Sequence, residues 1–201
     1  MLNVRVRKLV FASLVMLLAA LDRVEYQVRH DLFEIRHAQR IASENARKLP
    51  REIWLPRSLP RLMGRNEALL DAVRGHCATV LTYASTGCYA CVRTIASWSQ
   101  VLRQLSKGDS LAVGSVFIIA SPTRAYARTL LSTLAWQPKV VFYDSNRTIL
   151  SANGIREPFF TALLDTACRV VIAGSPVLHS GLQRLYEHKL DSLCYRNRSG
   201  S

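Results

Sequence analysis

The chain has 201 residues, 49% of them apolar, and a formal net charge of +13. This length suffices for one hydrophobic core of ordinary size and excludes two large ones. Five cysteines in so long a chain exclude a disulfide-rich miniature scaffold, which is short and cysteine-dense. Basic residues outnumber acidic ones in both halves, and no Lys/Arg block alternates with aromatic residues. We therefore expect a generally cationic, solvated surface and no nucleic-acid partner.

The N-terminus has the pattern of an export signal. An apolar run over residues 9–21 has charged residues on both sides: Arg5, Arg7 and Lys8 before it, Asp22 and Arg23 after it. The run ends without a good small-x-small cleavage site, so we expect residues 1–21 to be an uncleaved signal-anchor that spans the cell membrane once, and a removed signal peptide is the second interpretation. A buried N-terminal helix is the alternative, which the charged flanks disfavour. The basic side stays in the cytoplasm, so the rest of the chain is expected in the periplasm or extracytoplasmic space.

Residues 22–64 are predicted to form a helical stalk and a connector. Up to Pro50 this segment is highly charged and lacks Gly and Pro, and its apolar residues fall near a seven-residue spacing. The pattern predicts an amphipathic helix that continues from the anchor, either as a weak coiled-coil pairing site or as a solvated spacer. Three prolines and Gly64 then predict an extended connector.

Residues 65–192 alternate between strand and helix patterns. Apolar runs predict strands, and helical periodicity predicts helices between them; the strands are 78–84, 111–120 and 139–143, the helices 88–106, 124–136 and 183–190, and a hairpin covers 159–164 and 169–173. Strands separated by helices imply parallel crossovers, with an antiparallel hairpin added at one side. The predicted fold is an α/β, three-layer α/β/α sandwich with a mixed sheet, followed by a C-terminal tail over residues 193–201.

Cys88 and Cys91 are the most informative residues of the chain. They follow a predicted strand and open a predicted helix. Two cysteines at this spacing can close a small disulfide or hold a metal ion. The unpaired N–H groups and the positive dipole end of a helix favour thiolate over thiol at the first cysteine. This arrangement is typical of a redox-active dithiol.

From about residue 59 to residue 190 the chain resembles a thioredoxin-like fold, of the type found in TlpA-like, membrane-anchored thiol–disulfide oxidoreductases (redoxins). Three features carry the resemblance: the Cys88-Tyr-Ala-Cys91 motif, the inserted helix and strand at 124–143, and the run Gly154-Ile-Arg-Glu-Pro-Phe-Phe-Thr-Ala-Leu-Leu-Asp165. In this family the corresponding proline is cis and faces the disulfide. The resemblance therefore implies that Pro158 is a cis-proline preceded by Glu157.

Three positions depart from the family pattern. Thr86-Gly87 replace the aromatic residue usual before the first cysteine, and Ala96 replaces a proline that kinks the helix, so we expect an unkinked helix. The dipeptide between the cysteines is Tyr89-Ala90. These residues set the reduction potential, and none of the changes removes a group that dithiol exchange needs.

The resemblance implies the roles of the site residues. Cys88 is the exposed nucleophile, Cys91 is the shielded resolving thiol, and Tyr89, Ala90, Glu157 and Pro158 contact the substrate. The disulfide replaces any other cofactor, and no metal is expected. The implied partners are protein thiols or disulfides, with a membrane disulfide reductase among the candidates.

Two other functions share parts of this pattern. A peroxiredoxin-like peroxide reductase would use Ser85 before its peroxidatic cysteine, but Leu81 stands where that motif needs proline. A non-catalytic copper-handling protein would use the two thiols with His179, although the related copper-delivery family has three residues between its cysteines. The other cysteines, Cys77, Cys168 and Cys194, are predicted to be structural or incidental, with an accessory disulfide left open.

Overall fold

The computed structural model describes residues 4–64, 67–105 and 113–198. Along the described chain the helices and strands follow one another as α1 Val4–Ala46, β1 Arg61–Met63, α2 Leu69–Arg74, β2 Ala78–Ser85, α3 Tyr89–Ala96, α4 Trp98–Leu105, β3 Val113–Ala120, α5 Arg124–Ser132, β4 Val141–Asp144, α6 Thr148–Ala152, β5 Phe159–Asp165, β6 Val170–Ala173 and α7 Ser180–Arg198.

The six strands form one mixed sheet in the order β1-β4-β3-β2-β5-β6. The central strands β2, β3 and β4 are parallel, which requires a crossover between each pair. Strand β5 pairs antiparallel with β2, and β6 pairs antiparallel with β5, as the predicted hairpin requires. Strand β1 adds an antiparallel edge to β4. The predicted mixed sheet is therefore confirmed.

Helices cover both faces of the sheet and bury two apolar clusters. One cluster joins the sheet to α3, α4, α5 and α7, and contains Trp98, which packs edge-on against Phe117. The other joins the opposite face to α2, α6 and the segment around Ile53. All eight residues of β2 are buried, because this strand lies in the middle of the sheet between the two layers. The structure thus has the three predicted layers.

The N-terminal helix differs from the predicted anchor and stalk. The segments predicted as anchor and stalk lie largely in one helix, α1, whose apolar side chains between residues 14 and 33 are exposed. No helix in the described part of the chain is long and apolar enough to cross a bilayer, so the predicted membrane-spanning segment at 1–21 is not found. Near its C-terminal end α1 packs on α7: Ala38 is 1% exposed and belongs to the core. This end is therefore neither a free stalk nor a solvated spacer.

The connector and the last helix also differ from their predictions. Ile53 and Leu55 are buried, and the segment after Pro60 pairs with the sheet as β1, because tertiary packing gives these residues partners that their own sequence does not show. The helix α7 extends from Ser180 to Arg198, so it includes most of the predicted tail. The predicted strand at 111–120 is confirmed from Val113 onward, and its first two residues lie outside the described ranges.

Candidate active site

The turn between β2 and α3 is fixed to both neighbouring strands. The Ser85 N–H donates to the Pro158 carbonyl at 2.9 Å, and the Thr86 N–H donates to the Ala120 carbonyl at 2.8 Å. The Cys88 N–H then closes the turn by donating to the Ser85 carbonyl at 3.0 Å. Ser85 and Ala120 are the last residues of β2 and β3. These hydrogen bonds therefore hold the start of α3 at the carboxyl ends of the two strands.

Cys88 and Cys91 form a disulfide at the N-terminus of α3, with their Cα atoms 5.2 Å apart. Cys88 is the N-cap residue in extended backbone conformation, and its Sγ accepts a hydrogen bond from the Cys91 N–H at 3.3 Å. Both cysteines are partly exposed. The first N–H groups of a helix have no partner within the helix, so one of them is directed at the sulfur of Cys88.

Pro158 lies beside this turn, but its peptide bond is trans. No cis peptide bond occurs among the described residues, so the cis-proline implied by the family resemblance is wrong. The trans isomer is the one that an X-Pro bond favours without tertiary constraint, and the chain bends at Pro158 directly before β5 begins at Phe159. The Pro158 carbonyl still contacts the turn through the Ser85 N–H.

Neighbouring proteins of known structure share this arrangement of strands and helices. A protein from Chlorobium tepidum assigned as the thiol:disulfide interchange protein DsbE aligns over 72% of this chain and 99% of its own, with a TM-score of 0.52 and 17% identity. A protein from Bacteroides thetaiotaomicron assigned as a protein disulfide isomerase aligns over 71% and 89%, with a TM-score of 0.56 and 13% identity. A protein from Bacteroides vulgatus assigned as a thiol-disulfide oxidoreductase aligns over 66% and 85%, with a TM-score of 0.53 and 15% identity.

The chain has a thioredoxin-like fold. At these identities the three structures establish the fold. Neither a protein-family model nor a curated protein matches the sequence.

In this thioredoxin-like domain the predicted substrate-contacting residues belong to two segments, the start of α3 and the chain before β5. Tyr89 and Ala90 are the first residues of α3, and Ala90 is exposed. Glu157 precedes Pro158, and its carboxylate lies 3.8 Å from the Nζ atom of Lys48, near the end of α1. Both side chains of this ion pair are in contact with solvent, so it contributes about 1 kcal/mol or less to stability.

The helix after the disulfide is interrupted, although Ala96 replaces the kinking proline. It ends at Ala96, and α4 begins at Trp98. The Ser97 N–H donates to the Thr94 carbonyl, and the Thr94 hydroxyl donates to the Ala90 carbonyl at 2.9 Å. Back-bonding of this kind bends helices. The single helix predicted over 88–106 is therefore divided at Ser97 into two helices in the described part of the chain.

A buried polar pair, Tyr83 and Asp144, was not found from the sequence. Asp144 ends β4 and is 1% exposed, and its carboxylate accepts hydrogen bonds from the Tyr83 hydroxyl and from two N–H groups at the start of α6, those of Thr148 and Ile149. Burial, and secondarily the charge of Asp144, raise the pKa of Tyr83 well above its usual range. An acidic residue directly after a strand and before a short helix was the available signal, since such residues cap helices.

The other cysteines are divided between a second disulfide and a free thiol. Cys77 and Cys194 form a disulfide, 117 residues apart in sequence, with their Cα atoms 5.3 Å apart. Cys168 is free and buried in the β5–β6 turn, and burial raises the pKa of its thiol. The accessory disulfide that the sequence left open is therefore present.

His179 does not join the cysteines. It is exposed in the segment before α7 and lines a separate cavity of about 220 Å³ with Glu157 and Lys48. Within the described ranges, no group of three or more His, Cys, Asp or Glu side chains could hold a metal ion. The ligand set that a copper-handling protein would need from Cys88, Cys91 and His179 is therefore not assembled.

Proposed function

We propose that the chain is a thiol–disulfide oxidoreductase that exchanges its Cys88–Cys91 pair with the thiols or disulfides of a protein partner outside the cytoplasm. The observation that carries this proposal is the partly exposed disulfide at the start of α3, where the Cys91 N–H donates to the Cys88 sulfur. The fold supports it, since three proteins of the same fold are assigned to disulfide exchange.

Reduction of a partner would proceed in two displacement steps. The Cys88 thiolate attacks one sulfur of the partner disulfide, forms a mixed disulfide and releases the other partner sulfur as a thiolate, which takes up a proton. Cys91 then loses its proton and attacks the Cys88 sulfur. The mixed disulfide breaks, the second partner thiolate leaves, and the two electrons of the dithiol have passed to the partner. The same steps in reverse donate the disulfide.

The helix N-terminus makes Cys88 the better nucleophile of the pair. Its sulfur is at the N-cap position, where the helix dipole and the Cys91 N–H both favour negative charge. Cys91 lies inside the first turn of α3. Cys91 is thus placed to act in the second step, on a sulfur already bonded to the partner. No cofactor besides the disulfide is required, because the cysteine pair itself carries the two electrons.

Partner contacts are assigned to the residues on either side of the disulfide. We place a bound partner segment between the start of α3, at Tyr89 and Ala90, and the chain before β5, at Glu157 and Pro158. The hydrogen bond from Ser85 to the Pro158 carbonyl keeps the second of these segments beside the first. Glu157 is half-buried and can accept hydrogen bonds from a partner backbone.

An extracytoplasmic location explains two features together. Stable disulfides form in oxidising compartments and are rare in the cytosol, and the chain has a long-range disulfide in addition to the proposed redox pair. The basic segment followed by the apolar run at 9–21 is typical of exported proteins. A membrane dithiol reductase is the partner class that would return the pair to its reduced form there.

An equilibrium redox titration tests the proposal on the full chain. The protein is incubated with defined ratios of reduced and oxidised glutathione, and the thiol state of Cys88 and Cys91 is measured by alkylation and mass spectrometry. We expect one two-electron transition and reduction of insulin by the reduced protein. A strongly reducing midpoint indicates disulfide reduction in the cell, and an oxidising one indicates disulfide donation. If the reduced protein leaves insulin and simple peptide disulfides unchanged and the oxidised protein leaves peptide dithiols unchanged, the proposal is wrong.

A further inference from the structure

A cavity of about 310 Å³ lies directly beside the proposed redox pair. The strands β2, β3 and β4 are parallel and end at the same edge of the sheet, and the residues that follow them form the cavity walls. Crevices at this edge of α/β sheets are common ligand sites. One wall is the segment from Ser85 to Gly87, and Cys88 is the next residue of the chain.

The lining of the cavity is polar, and its charged group is cationic. Hydroxyl-bearing residues from all three strand ends line it, and Arg147 is the one charged residue among the described lining residues, none of which is acidic. Arg147 is exposed, and in the described part of the chain it forms no ion pair. Asp144, the acidic residue nearby in sequence, is 1% exposed and directs its carboxylate to Tyr83 and to the start of α6.

The hydroxyl group of Ser121 is a second, independent indication that the cavity takes a ligand. It lines the cavity and is 5% exposed, and its buried hydroxyl has no hydrogen-bond partner in the described structure. Buried hydroxyl groups are nearly always hydrogen-bonded. Its carbonyl, in contrast, accepts from the Tyr143 hydroxyl at 3.0 Å. A ligand oxygen that entered the cavity would give the Ser121 hydroxyl an acceptor.

We propose that this cavity binds a carboxylate of the disulfide substrate, with Arg147 as its charge partner and Ser121 as a hydrogen-bond donor. The inference rests on the proposed oxidoreductase function and names the class of substrate that the function prefers. Successive Cα atoms are about 3.8 Å apart, so a carboxylate carried one or two residues from the substrate cysteine can reach a cavity that begins one residue from Cys88. A small disulfide with its own carboxylates offers the same chemistry.

Single-turnover reduction by the pre-reduced full chain tests the preference. The peptide probes are disulfides that carry Asp, Asn or Lys beside the cysteine; the small-molecule probes are oxidised glutathione and its carboxylate-esterified form. We expect the Asp peptide to react about two- to fivefold faster than the Asn peptide, as one solvent-accessible ion pair allows, and the Lys peptide to react most slowly. The Asp preference should decline at high salt, because exposed charges are screened.

Two variants and one control assign the preference to the cavity. Arg147→Gln should bring the Asp-to-Asn rate ratio close to one, and Arg147→Glu should invert the order so that the Lys peptide reacts fastest. Lys139→Gln is the matched control, since it removes a positive charge from the exposed residue before β4, at the opposite end of that strand, and should keep the wild-type ratio. If oxidised glutathione is reduced faster than its ester and this difference depends on Arg147, a small molecule is the source of the carboxylate. If only the peptides show a rate difference that depends on Arg147, a polypeptide is the source.

Two results would overturn the inference while leaving the proposed function intact. The first is reduction of the Asp and Asn peptides at equal rates by the wild type. The second is an equal loss of rate for all peptides in Arg147→Gln, which would mean that the arginine acts without regard to substrate charge. Failure of the wild type to reduce any probe would instead refute the oxidoreductase function, and this inference with it.

Discussion

The two disulfides lie near opposite ends of the central strand β2 and differ in the length of the chain segment that each one closes. Cys77 directly precedes the strand, and its partner Cys194 is 117 residues away in the last helix. Cys88 follows the strand, and its partner Cys91 is three residues away in the first turn of α3. Closing a long loop removes much conformational entropy from the unfolded chain, and closing a very short loop removes little. Loop length therefore predicts a larger contribution to stability from the first disulfide, and the second is the pair to which we assign the proposed exchange chemistry.

Removing either sulfur of the Cys88–Cys91 pair should give the largest effect. Cys88→Ser should abolish reduction of insulin, because no nucleophile remains for the first displacement. Cys91→Ser should instead accumulate mixed disulfides with the substrate, since the second displacement is lost. Activity assays and non-reducing gels distinguish the two outcomes. Cys168→Ala is the control, because its thiol is buried and outside the site, and it should keep wild-type turnover. Undiminished turnover in both site variants would contradict the assignment of the exchange reaction to Cys88 and Cys91.

Removing the Cys77–Cys194 disulfide should affect stability and spare the chemistry. We expect the Cys77→Ser/Cys194→Ser double variant to lose about 2–5 kcal/mol of unfolding free energy, as long-loop disulfides usually contribute. The matched comparison is Cys88→Ser/Cys91→Ser, which opens the short loop and should lose about 2 kcal/mol or less in the same entropic relation. Urea unfolding without reductant measures both. Equal losses would show that loop length does not separate the two disulfides.

The helix α7, which Cys194 ties to β2, is also held by packing against α1. A Cβ atom at Gly181 would lie 2.7 Å from the Glu34 carbonyl oxygen and 3.0 Å from the Ala38 Cβ. Gly181→Ala should therefore force the two helices apart and lower the unfolding free energy by about 1–3 kcal/mol, a typical cost of overpacking. Lys189→Ala, at an exposed position of the same helix, is the control and should change stability little.

Combining Gly181→Ala with loss of the Cys77–Cys194 disulfide tests whether the two attachments act together. If both hold the same helix, the loss in the combined variant should differ measurably from the sum of the separate losses, as it does for coupled sites. Strict additivity would mean that the N-terminal helix and the disulfide stabilise α7 independently. A wild-type stability for Gly181→Ala would contradict the docking of α1 on the domain.

The sequence was most informative where local pattern and tertiary environment agree. The strand β2 is apolar along its whole length because it is buried on both faces, so its pattern predicts its position. The Cys88–Cys91 motif was equally clear, because strand, turn and helix signals surround it within a few residues. The disulfide partner of Cys77 was not predictable, because Cys194 lies 117 residues away in α7 and the local sequence around Cys77 does not show where that helix packs.

Features that depend on distant contacts were missed for the same reason. The hydrogen bond between the Ser85 N–H and the Pro158 carbonyl joins residues 73 positions apart, and a proline in sequence does not record that contact. The short strand β1 exists because β4 offers it an edge. The cavity with Ser121 and Arg147 joins three strand ends that are separated along the chain. Only the rule that ligands collect at this edge of the sheet could have pointed to it.

Tyr186 tests the smallest of the attachments that hold α7. Its hydroxyl is buried and donates to the Gly174 carbonyl at 2.8 Å. Tyr186→Phe removes that bond and the buried hydroxyl together, and we expect a loss of about 1 kcal/mol at neutral pH. This loss of unfolding free energy is smaller than the loss expected for the Cys77–Cys194 disulfide. A larger loss in Tyr186→Phe than in the disulfide variant would contradict this order.

The same variant has a signature in pH dependence. Burial, only partly offset by the Leu163 backbone, raises the pKa of Tyr186 in the folded state above its ordinary value. The folded protein thus keeps a proton that the unfolded chain releases above pH of about 10. This contribution is fully present below that pH and is lost as pH rises further. Tyr83, whose pKa is also raised, contributes equally to the wild type and to Tyr186→Phe. The wild type should therefore lose unfolding free energy more steeply than the variant between about pH 9 and 11. The urea midpoint of each protein is measured as a function of pH. If the two curves are parallel, the Tyr186 hydroxyl ionises as freely in the folded protein as in the unfolded chain.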